Sequence, residues 1–188
     1  VKIGSATKRW QAAYELSKVF NNPKTIPTDL SFKNQMISSY NHAINDDPLV
    51  RAYLAIAMGV TADNFYGNEL VLGLKDEARE SRLAAIQAVG MVKEVTAVPV
   101  LSEIIKTSDY QDERLAATMS IGFIGDPSAI PLLNALLEDE EPNIRWDAAV
   151  ALAKMGEKSS IRILENLMDR DYLSSFPELD YKEVNKVI

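Results

Sequence analysis

Apolar residues recur along most of this chain at intervals of three and four positions, the spacing that places them on one face of an α-helix. An arginine recurs with them, at intervals of 31, 32 and 31 residues; the four arginines are Arg51, Arg82, Arg114 and Arg145. Counting from each arginine, the third position is Leu or Ala, the seventh is apolar and the eighth is Gly or Ala. This register predicts one helix of three to four turns in each of four units.

A second apolar stripe follows each predicted helix. Every unit has a leucine nineteen residues after its arginine, and the last three units have further apolar residues three and four positions beyond it. Turn residues separate the stripes: Asp126-Pro127 favours the start of a helix, and Gly125 and Gly156 favour a helix end with a left-handed backbone. Because no segment alternates with period two, we predict an all-α fold built from helix pairs.

The pairs predict one array over residues 1–188, since each pair can bury its apolar face only against its neighbours. The four clear units are 46–75, 76–107, 108–139 and 140–170. Residues 1–45 form an atypical N-terminal capping unit, in which Arg9 and Trp10 match the Arg145-Trp146 pair and a second helix is expected over about 29–44. Residues 171–188 are predicted to be a linker and the start of a further helix, next to an apolar edge of the array.

The third unit has the clearest family resemblance, carried by Arg114, Ala117, Gly122, the Gly125-Asp126-Pro127 turn and Leu133. It resembles a HEAT repeat and, more narrowly, the short bacterial HEAT-like repeats first described in phycobilisome lyases. The resemblance implies a right-handed α-α superhelix of about five helix pairs, with first helices on the convex back and second helices lining a concave groove. It identifies a fold rather than an activity, because such repeats occur in scaffolds, adaptors and a few enzymes.

Composition narrows the possible functions. The chain has 188 residues, 47% of them apolar and 25% charged, as in an ordinary globular protein. The absence of Cys excludes disulfides, thiolate metal sites and cysteine nucleophiles, and no apolar run approaches the roughly 20 residues of a membrane span. A formal net charge of −7 opposes binding to phosphate backbones, so we expect no nucleic-acid partner, although residues 1–45 carry six basic and two acidic residues.

Few residues of this sequence could support catalysis. His42 is the single histidine, which excludes the paired His-Glu iron ligands of the HEAT-like deoxyhypusine hydroxylases. The HEAT-like DNA glycosylases use a basic concave surface, which is not predicted here. We therefore predict a non-enzymatic protein without a cofactor, acting as a scaffold or adaptor that binds another protein or a peptide segment. The alternative is a lyase-like protein or a chaperone that handles a chromophore or another ligand in the same groove.

An acidic residue stands five positions before each repeat arginine; the four are Asp46, Glu77, Asp109 and Glu140. One interpretation is a ladder of binding groups. Because the pair recurs in every unit, we favour a structural role, in which each guanidinium bonds carboxylates and loop carbonyls between successive turns.

The second helices supply the predicted partner-binding groove, because helical geometry turns the positions between their core leucines outward. These residues, called here the second-helix surface, are Asn68, Val71, Leu72, Lys75, Ser102, Glu103, Lys106, Asn134, Glu138, Arg162, Glu165, Asn166 and Asp169. Lys75 and Lys106 lie toward the first units and Glu138 and Asp169 toward the last. This bipolar charge favours an extended segment or helix bound in one direction, and an ordinary solvated face is the alternative.

The chain begins with Val1 rather than Met, which indicates a processed chain or a segment of a longer protein. We expect a bacterial protein that is cytoplasmic or is the soluble part of a larger protein, including a membrane-anchored one. The identity of the partner and the oligomeric state do not follow from the sequence.

Overall fold

The computed structural model describes residues 6–43 and 47–176, which form helices joined by turns. The helices are α1 (Ala6–Val19), α2 (Leu30–His42), α3 (Pro48–Val60), α4 (Gly67–Gly73), α5 (Arg79–Met91), α6 (Val98–Thr107), α7 (Gln111–Ile124), α8 (Ile130–Leu136), α9 (Pro142–Lys154), α10 (Ile161–Leu167) and α11 (Arg170–Ser174). A 3₁₀ turn joins the two helices of each pair from α1/α2 to α9/α10. The predicted all-α solenoid of about five helix pairs is confirmed.

The helix starts follow the punctuation of the sequence. The side chain of Asp29 accepts a hydrogen bond from the Phe32 amide at 2.8 Å at the start of α2. Asp47 accepts one from the Leu49 amide at 3.0 Å, and Pro48 occupies the first turn of α3, where its missing N–H has no cost.

Successive first helices approach closely at the glycine column eight residues after the arginine. A Cβ atom added at Gly59 would lie 2.9 Å from the Cα of Ala88, and one at Gly90 would lie 2.8 Å from the Cα of Ser120. At Gly122 the added atom would lie 2.9 Å from the Cβ of Ala151. These distances are below normal van der Waals contact, so the predicted close approach of neighbouring helices through small residues is confirmed.

The two layers of helices differ in how they pack. The first helices α1, α3, α5, α7 and α9 pack directly against one another in series, whereas α4, α6 and α8 pack mainly against the first helix that follows. In a curved stack of helix pairs, the more closely spaced layer lies on the inside of the curve. We infer that the first helices face inward, which reverses the arrangement expected from the resemblance.

In each of the four repeat units, the residue eleven positions after the arginine has a left-handed backbone and follows the first helix. Gly125 and Gly156 have φ angles of 71° and 83°, as the sequence predicted for helix ends. In the two preceding units the same position is Ala62, with φ 53°, and Lys93, with φ 56°. A side chain at such an angle is strained by about 1–2 kcal/mol, so two of the four units carry a residue that the backbone disfavours.

In three of the four units, an acidic residue at the next position caps the turn between the paired helices. Asp63 and Asp126 accept hydrogen bonds from the amides two residues on, at 3.0 and 2.8 Å. Glu94 is buried, and its carboxylate accepts hydrogen bonds from the amide and hydroxyl of Thr96 and from the Asn64 side chain at 2.9 Å. Burial opposes ionisation of Glu94, but these hydrogen bonds outweigh it and lower the pKa of the carboxyl. Glu94 therefore ties the turns of two successive units together.

Aromatic contacts close the two ends of the described array. Trp10 of α1 stacks on Tyr53 of α3, with ring centroids 6.2 Å apart. At the other end Trp146 meets Phe176 edge-on at 5.3 Å, and Leu173 of α11 is buried. Helix α11 therefore covers part of the predicted apolar edge, while Met168 remains 77% exposed. The further helix expected toward residue 188 lies outside the described residues.

Candidate partner-binding surface

The repeat arginines tie neighbouring units together. Arg82 donates to the Glu113 carboxylate from Nε at 3.0 Å and forms an ion pair with it through a terminal nitrogen at 2.7 Å. Arg114 donates to Asp139 at 2.6 Å and to the Ile105 carbonyl at 3.0 Å. Arg51 pairs with Asp76. Each of these bonds joins residues of successive units, which supports the structural interpretation of the arginine column.

The acidic partners are not the ones that the sequence pattern indicated. Asp76 and Asp139 stand six positions before the next arginine, and each uses its other carboxylate oxygen to accept a loop amide two residues on. The residues five positions before the arginines, Glu77, Asp109 and Glu140, have exposed side chains, and Asp46 lies outside the described residues. The carboxylate six positions before points between the units, and the next side chain along the loop points to solvent.

The loop carbonyls also take part in these contacts. Arg82 donates to the carbonyls of Asp76 at 2.7 Å and Glu77 at 3.4 Å. Arg145 donates to the carbonyls of Asp139 at 2.7 Å and Glu140 at 3.1 Å. Glu77 and Glu140 therefore contribute backbone oxygens rather than carboxylates to the ladder, whereas Arg114 donates to the Ile105 carbonyl.

The second unit boundary replaces the usual aspartate with Ser108. The Ser108 hydroxyl accepts the Tyr110 amide at 3.2 Å, as the aspartates accept theirs, and donates to Glu113 at 2.8 Å. Glu113 then supplies the charge for Arg82, and it is only 2% exposed. A serine and a buried glutamate together do what one aspartate does elsewhere.

The residues of the second-helix surface are accessible, as predicted. Nine are exposed: Asn68, Leu72, Lys75, Glu103, Lys106, Glu138, Arg162, Glu165 and Asp169; four are half-buried: Val71, Ser102, Asn134 and Asn166. Several of their polar groups are already engaged within their own helices or turns. Ser102 and Asn134 donate to carbonyls four residues back at 2.7 and 3.0 Å, and Asp169 caps α11 by accepting the Asp171 amide at 2.9 Å.

A different set of exposed apolar residues stands on the first helices, whose exposed face is called here the first-helix surface. Its exposed large apolar residues are Tyr14, Met91, Met119, Phe123 and Val150. Met119 and Phe123 both belong to α7 and are 42% and 46% exposed. Adjacent exposed apolar side chains of this kind are typical of interaction surfaces, whereas isolated ones are not informative.

Two clefts open on the first-helix surface. The smaller, of about 110 Å³, is lined by Met119, Phe123, Asp147, Val150 and Lys154, with Gly122 and Ala151 at its base. The larger, called here the Lys93 cleft, measures about 380 Å³ and surrounds the end of α7; it is lined by Lys93, Gly122, Phe123, Ile124, Gly125, Pro127, Ile130, Lys154 and Met155. Its volume falls at the lower end of the range for ligand pockets.

Charge is distributed unevenly across these clefts. The Lys154 ammonium lies over the Phe123 ring, 5.0 Å from its centroid, at the boundary between them. Asp147, in the wall of the smaller cleft, is half-buried, and burial raises the pKa of its carboxyl while Lys154 opposes this shift. The Lys93 cleft has two lysines and no carboxylate in its lining.

Sequence reasoning missed the first-helix surface because it assigned these helices to the convex back. A pattern in the sequence could have identified it. The fifth position after the arginine holds Met119 and Val150, and the ninth holds Met91 and Phe123. These positions lie off the core stripe, so their apolar character had no packing explanation.

The features relevant to catalysis are sparse. His42 is exposed, and its Nδ1 lies 2.7 Å from the Ser38 carbonyl oxygen within α2. In residues 6–43 and 47–176, no group of three or more metal-ligating side chains could hold a metal ion. In the same ranges, no helix has the length and apolar character needed to cross a membrane.

Comparison with known proteins places the chain in a family. The family of HEAT repeats matches residues 41–122 and 111–174, which together span most of the chain and include the four units seen in the sequence. The protein therefore belongs to the HEAT-repeat family, whose members generally mediate protein–protein interaction or scaffolding. No curated protein matched the chain.

Proposed function

We propose that this protein is a non-enzymatic adaptor or scaffold that holds a segment of a partner protein against its first-helix surface. The observation that carries the proposal is the cluster of exposed apolar side chains formed by Met119, Phe123 and Val150, together with the clefts beside them. The packing of the first helices within the array does not require apolar residues at these exposed positions. Their contact with a partner would remove apolar area from water, the main driving force of protein association.

The geometry of the array also supports this surface. The first helices are 13 or 14 residues long, whereas α4, α8 and α10 have 7 residues each. A partner lying along the inner side of a curved array meets longer and more closely spaced helices there. The second-helix surface, with its bipolar charge and Leu72 69% exposed, is the competing surface.

Affinity capture with two matched variants tests this proposal. The first-helix variant carries Met119→Gln and Val150→Gln, which remove apolar contact area while keeping good helix formers at exposed positions. The second-helix variant exchanges charge signs through Lys75→Glu, Lys106→Glu, Glu138→Lys and Glu165→Lys, and keeps the net charge. Glu165 is used instead of Asp169 because Asp169 caps α11.

Both variants should melt close to the parent, which shows that the fold is intact. We expect the first-helix variant to lose the partners that the parent captures from extracts of the source organism, and the charge-exchanged variant to retain them. Loss of capture only in the charge-exchanged variant would contradict the proposal and favour the second-helix surface.

A ligand-handling chaperone or lyase-like protein is the second candidate, favoured by the volume of the Lys93 cleft. A small molecule that copurifies with the protein and is displaced by the substitution Phe123→Gln would favour this candidate. A chromophore would be recognised by its absorbance.

A further inference from the structure

We propose that the Lys93 cleft receives an acidic peptide segment of the partner, in which a bulky apolar side chain stands close to a carboxylate. This inference rests on the proposed function, because it specifies the chemistry of the segment that the first-helix surface binds. Three features of the cleft carry it: its apolar wall, the two lysines at its sides and the backbone strain at one of them.

The apolar wall comes from the end of α7 and the turn that follows. The apolar residues that line the cleft are Phe123, Ile124, Pro127, Ile130 and Met155. Gly125, which also lines the cleft, has nothing within 4 Å of the position that a Cβ would take. The absence of a side chain there keeps the cleft open beside the Phe123 ring, with room for an apolar side chain of a ligand.

The two lysines come from neighbouring units on either side of this wall. Lys93 follows α5, and Lys154 ends α9. Neither forms an ion pair with a described acidic residue, and Lys154 instead lies over Phe123. In a protein with a net charge of −7, two lysines that form no ion pair with a described acidic residue are complementary, at one apolar cleft, to an anionic ligand.

Asp147 indicates the direction of the bound segment. Its carboxyl lies in the smaller cleft on the other side of Phe123 and Lys154, and it is absent from the lining of the Lys93 cleft. A ligand carboxylate is therefore favoured on the Lys93 side and disfavoured on the Asp147 side. The apolar residue of the segment would lie beside Phe123 in the Lys93 cleft, with its acidic neighbour toward Lys93 and the rest of the segment over Met119 and Val150.

The backbone at Lys93 points to a role beyond folding. Its φ angle of 56° is one that glycine adopts freely, and the equivalent residues of the next two units are Gly125 and Gly156. Ala62 shares the strain, with φ 53°, but does not line the cleft. The strain at Lys93 lowers the stability of the fold, and strained residues of this kind occur at binding sites.

Peptide selection on the purified protein tests the inference. A displayed library of random dodecapeptides is enriched on the parent, and the strongest sequences are synthesised with a fluorescent label for anisotropy titration. We expect enrichment of a bulky apolar residue within a few positions of Asp or Glu. Affinity should fall as salt concentration rises, since the lysines are exposed.

Three variants identify the site. Lys93→Gly and Lys154→Gln should each weaken the selected peptides by about tenfold, as expected for the loss of one charge-assisted contact. Ala62→Gly is the matched control: it relieves the same backbone strain at a position outside the cleft and should leave affinity unchanged. Both glycine variants should melt at higher temperature than the parent, which separates loss of binding from loss of fold.

Each other outcome overturns the inference. Peptides without acidic residues, or peptides that bind Lys93→Gly as tightly as the parent, would show that the lysines do not recognise the ligand. If such peptides still depend on Met119 and Val150, the proposed surface stands and only its chemistry is wrong. If they depend solely on the charge exchange of the second helices, the proposed surface fails as well. Failure to select any peptide, with an anionic small molecule found in the purified protein by mass spectrometry, would assign the cleft to a different ligand.

Discussion

Removing Arg82, which pairs with a buried carboxylate in the ladder, should be far more damaging than removing Arg145, the last arginine of the ladder. The variant Arg82→Ala deletes the Nε bond of 3.0 Å and the ion pair of 2.7 Å to Glu113, and a bond of 2.7 Å to the Asp76 carbonyl. Glu113 is 2% exposed, and among the described residues its carboxylate would keep only the Ser108 hydroxyl as a side-chain partner. Breaking a buried pair costs about 3–5 kcal/mol.

The partial exposure of the arginine reduces this figure. The Arg82 side chain is 20% exposed, so water can replace some of its contacts, and we expect a loss of about 2–4 kcal/mol in the free energy of unfolding. For a chain of this length that corresponds to a fall of about 4–16 °C in Tm. Arg145→Ala is the matched control, because it removes bonds to two loop carbonyls and leaves no buried carboxylate; it should cost about 1 kcal/mol.

A double-mutant cycle followed by urea denaturation measures the effect. Adding Glu113→Gln to Arg82→Ala replaces the unpaired charge with a neutral amide and should recover part of the lost stability. Equal destabilisation by Arg82→Ala and Arg145→Ala, without recovery in the double variant, would refute the conclusion that a buried charge is held by the ladder.

Three further changes test the packing, the backbone strain and the electrostatics of the fold. Gly90→Ala should cost about 1–2 kcal/mol by urea denaturation, because the added methyl group meets the Ser120 Cα at 2.8 Å and the gain in helix propensity only partly offsets that clash; unchanged stability would mean that the helices separate freely. Ala62→Gly should stabilise the fold by about 1 kcal/mol in thermal melts by relieving the φ of 53°, and destabilisation would contradict the strain. The pKa of Glu94 is lowered in the folded state, so its contribution to stability is present above the pKa of the unfolded chain and is lost as pH falls through the folded pKa. The stability difference between the parent and Glu94→Gln, measured by urea denaturation, should therefore shrink from pH 6 to pH 3, and a difference that is independent of pH would contradict this.

The architecture could be predicted from the sequence because every unit must satisfy the same constraints of helix contact and backbone conformation. The glycine at Gly90 is required by contact with Ser120, and Gly122 by contact with Ala151, so the same column recurs in neighbouring units. The left-handed position at Gly125 recurs at Gly156 for a backbone reason. Each such column reports one local condition that every unit must satisfy.

The partners within the ladder could not be predicted in the same way. Asp76 and Glu77 are adjacent acidic residues, and only the geometry of the loop decides that Asp76 points between the units. At the next boundary the aspartate is replaced by Ser108, so the column that makes the ion pairs is interrupted in the sequence. The column five before the arginine was the more regular pattern, but its residues Glu77 and Glu140 supply carbonyls.

The candidate surface depended on which layer of helices faces inward, and one sequence does not contain that information directly. The distances between helices supplied it: Gly59 and Ala88 belong to first helices that nearly touch. With the first helices facing inward, the exposed apolar residues Met119 and Phe123 lie where a partner can contact them, although they are not part of the core.

Site-specific photocrosslinking in the source organism tests the central claim most directly. A benzophenone amino acid is placed either at Met119, on the first-helix surface, or at Glu103, on the second-helix surface; both positions are exposed and in the middle of the array. Irradiation followed by mass spectrometry identifies what each position touches. We predict a discrete crosslinked partner at position 119 and none at position 103, with the crosslinked peptide carrying acidic and apolar residues. A discrete partner at position 103 and none at position 119 would show that the protein binds through its second helices and would contradict the account.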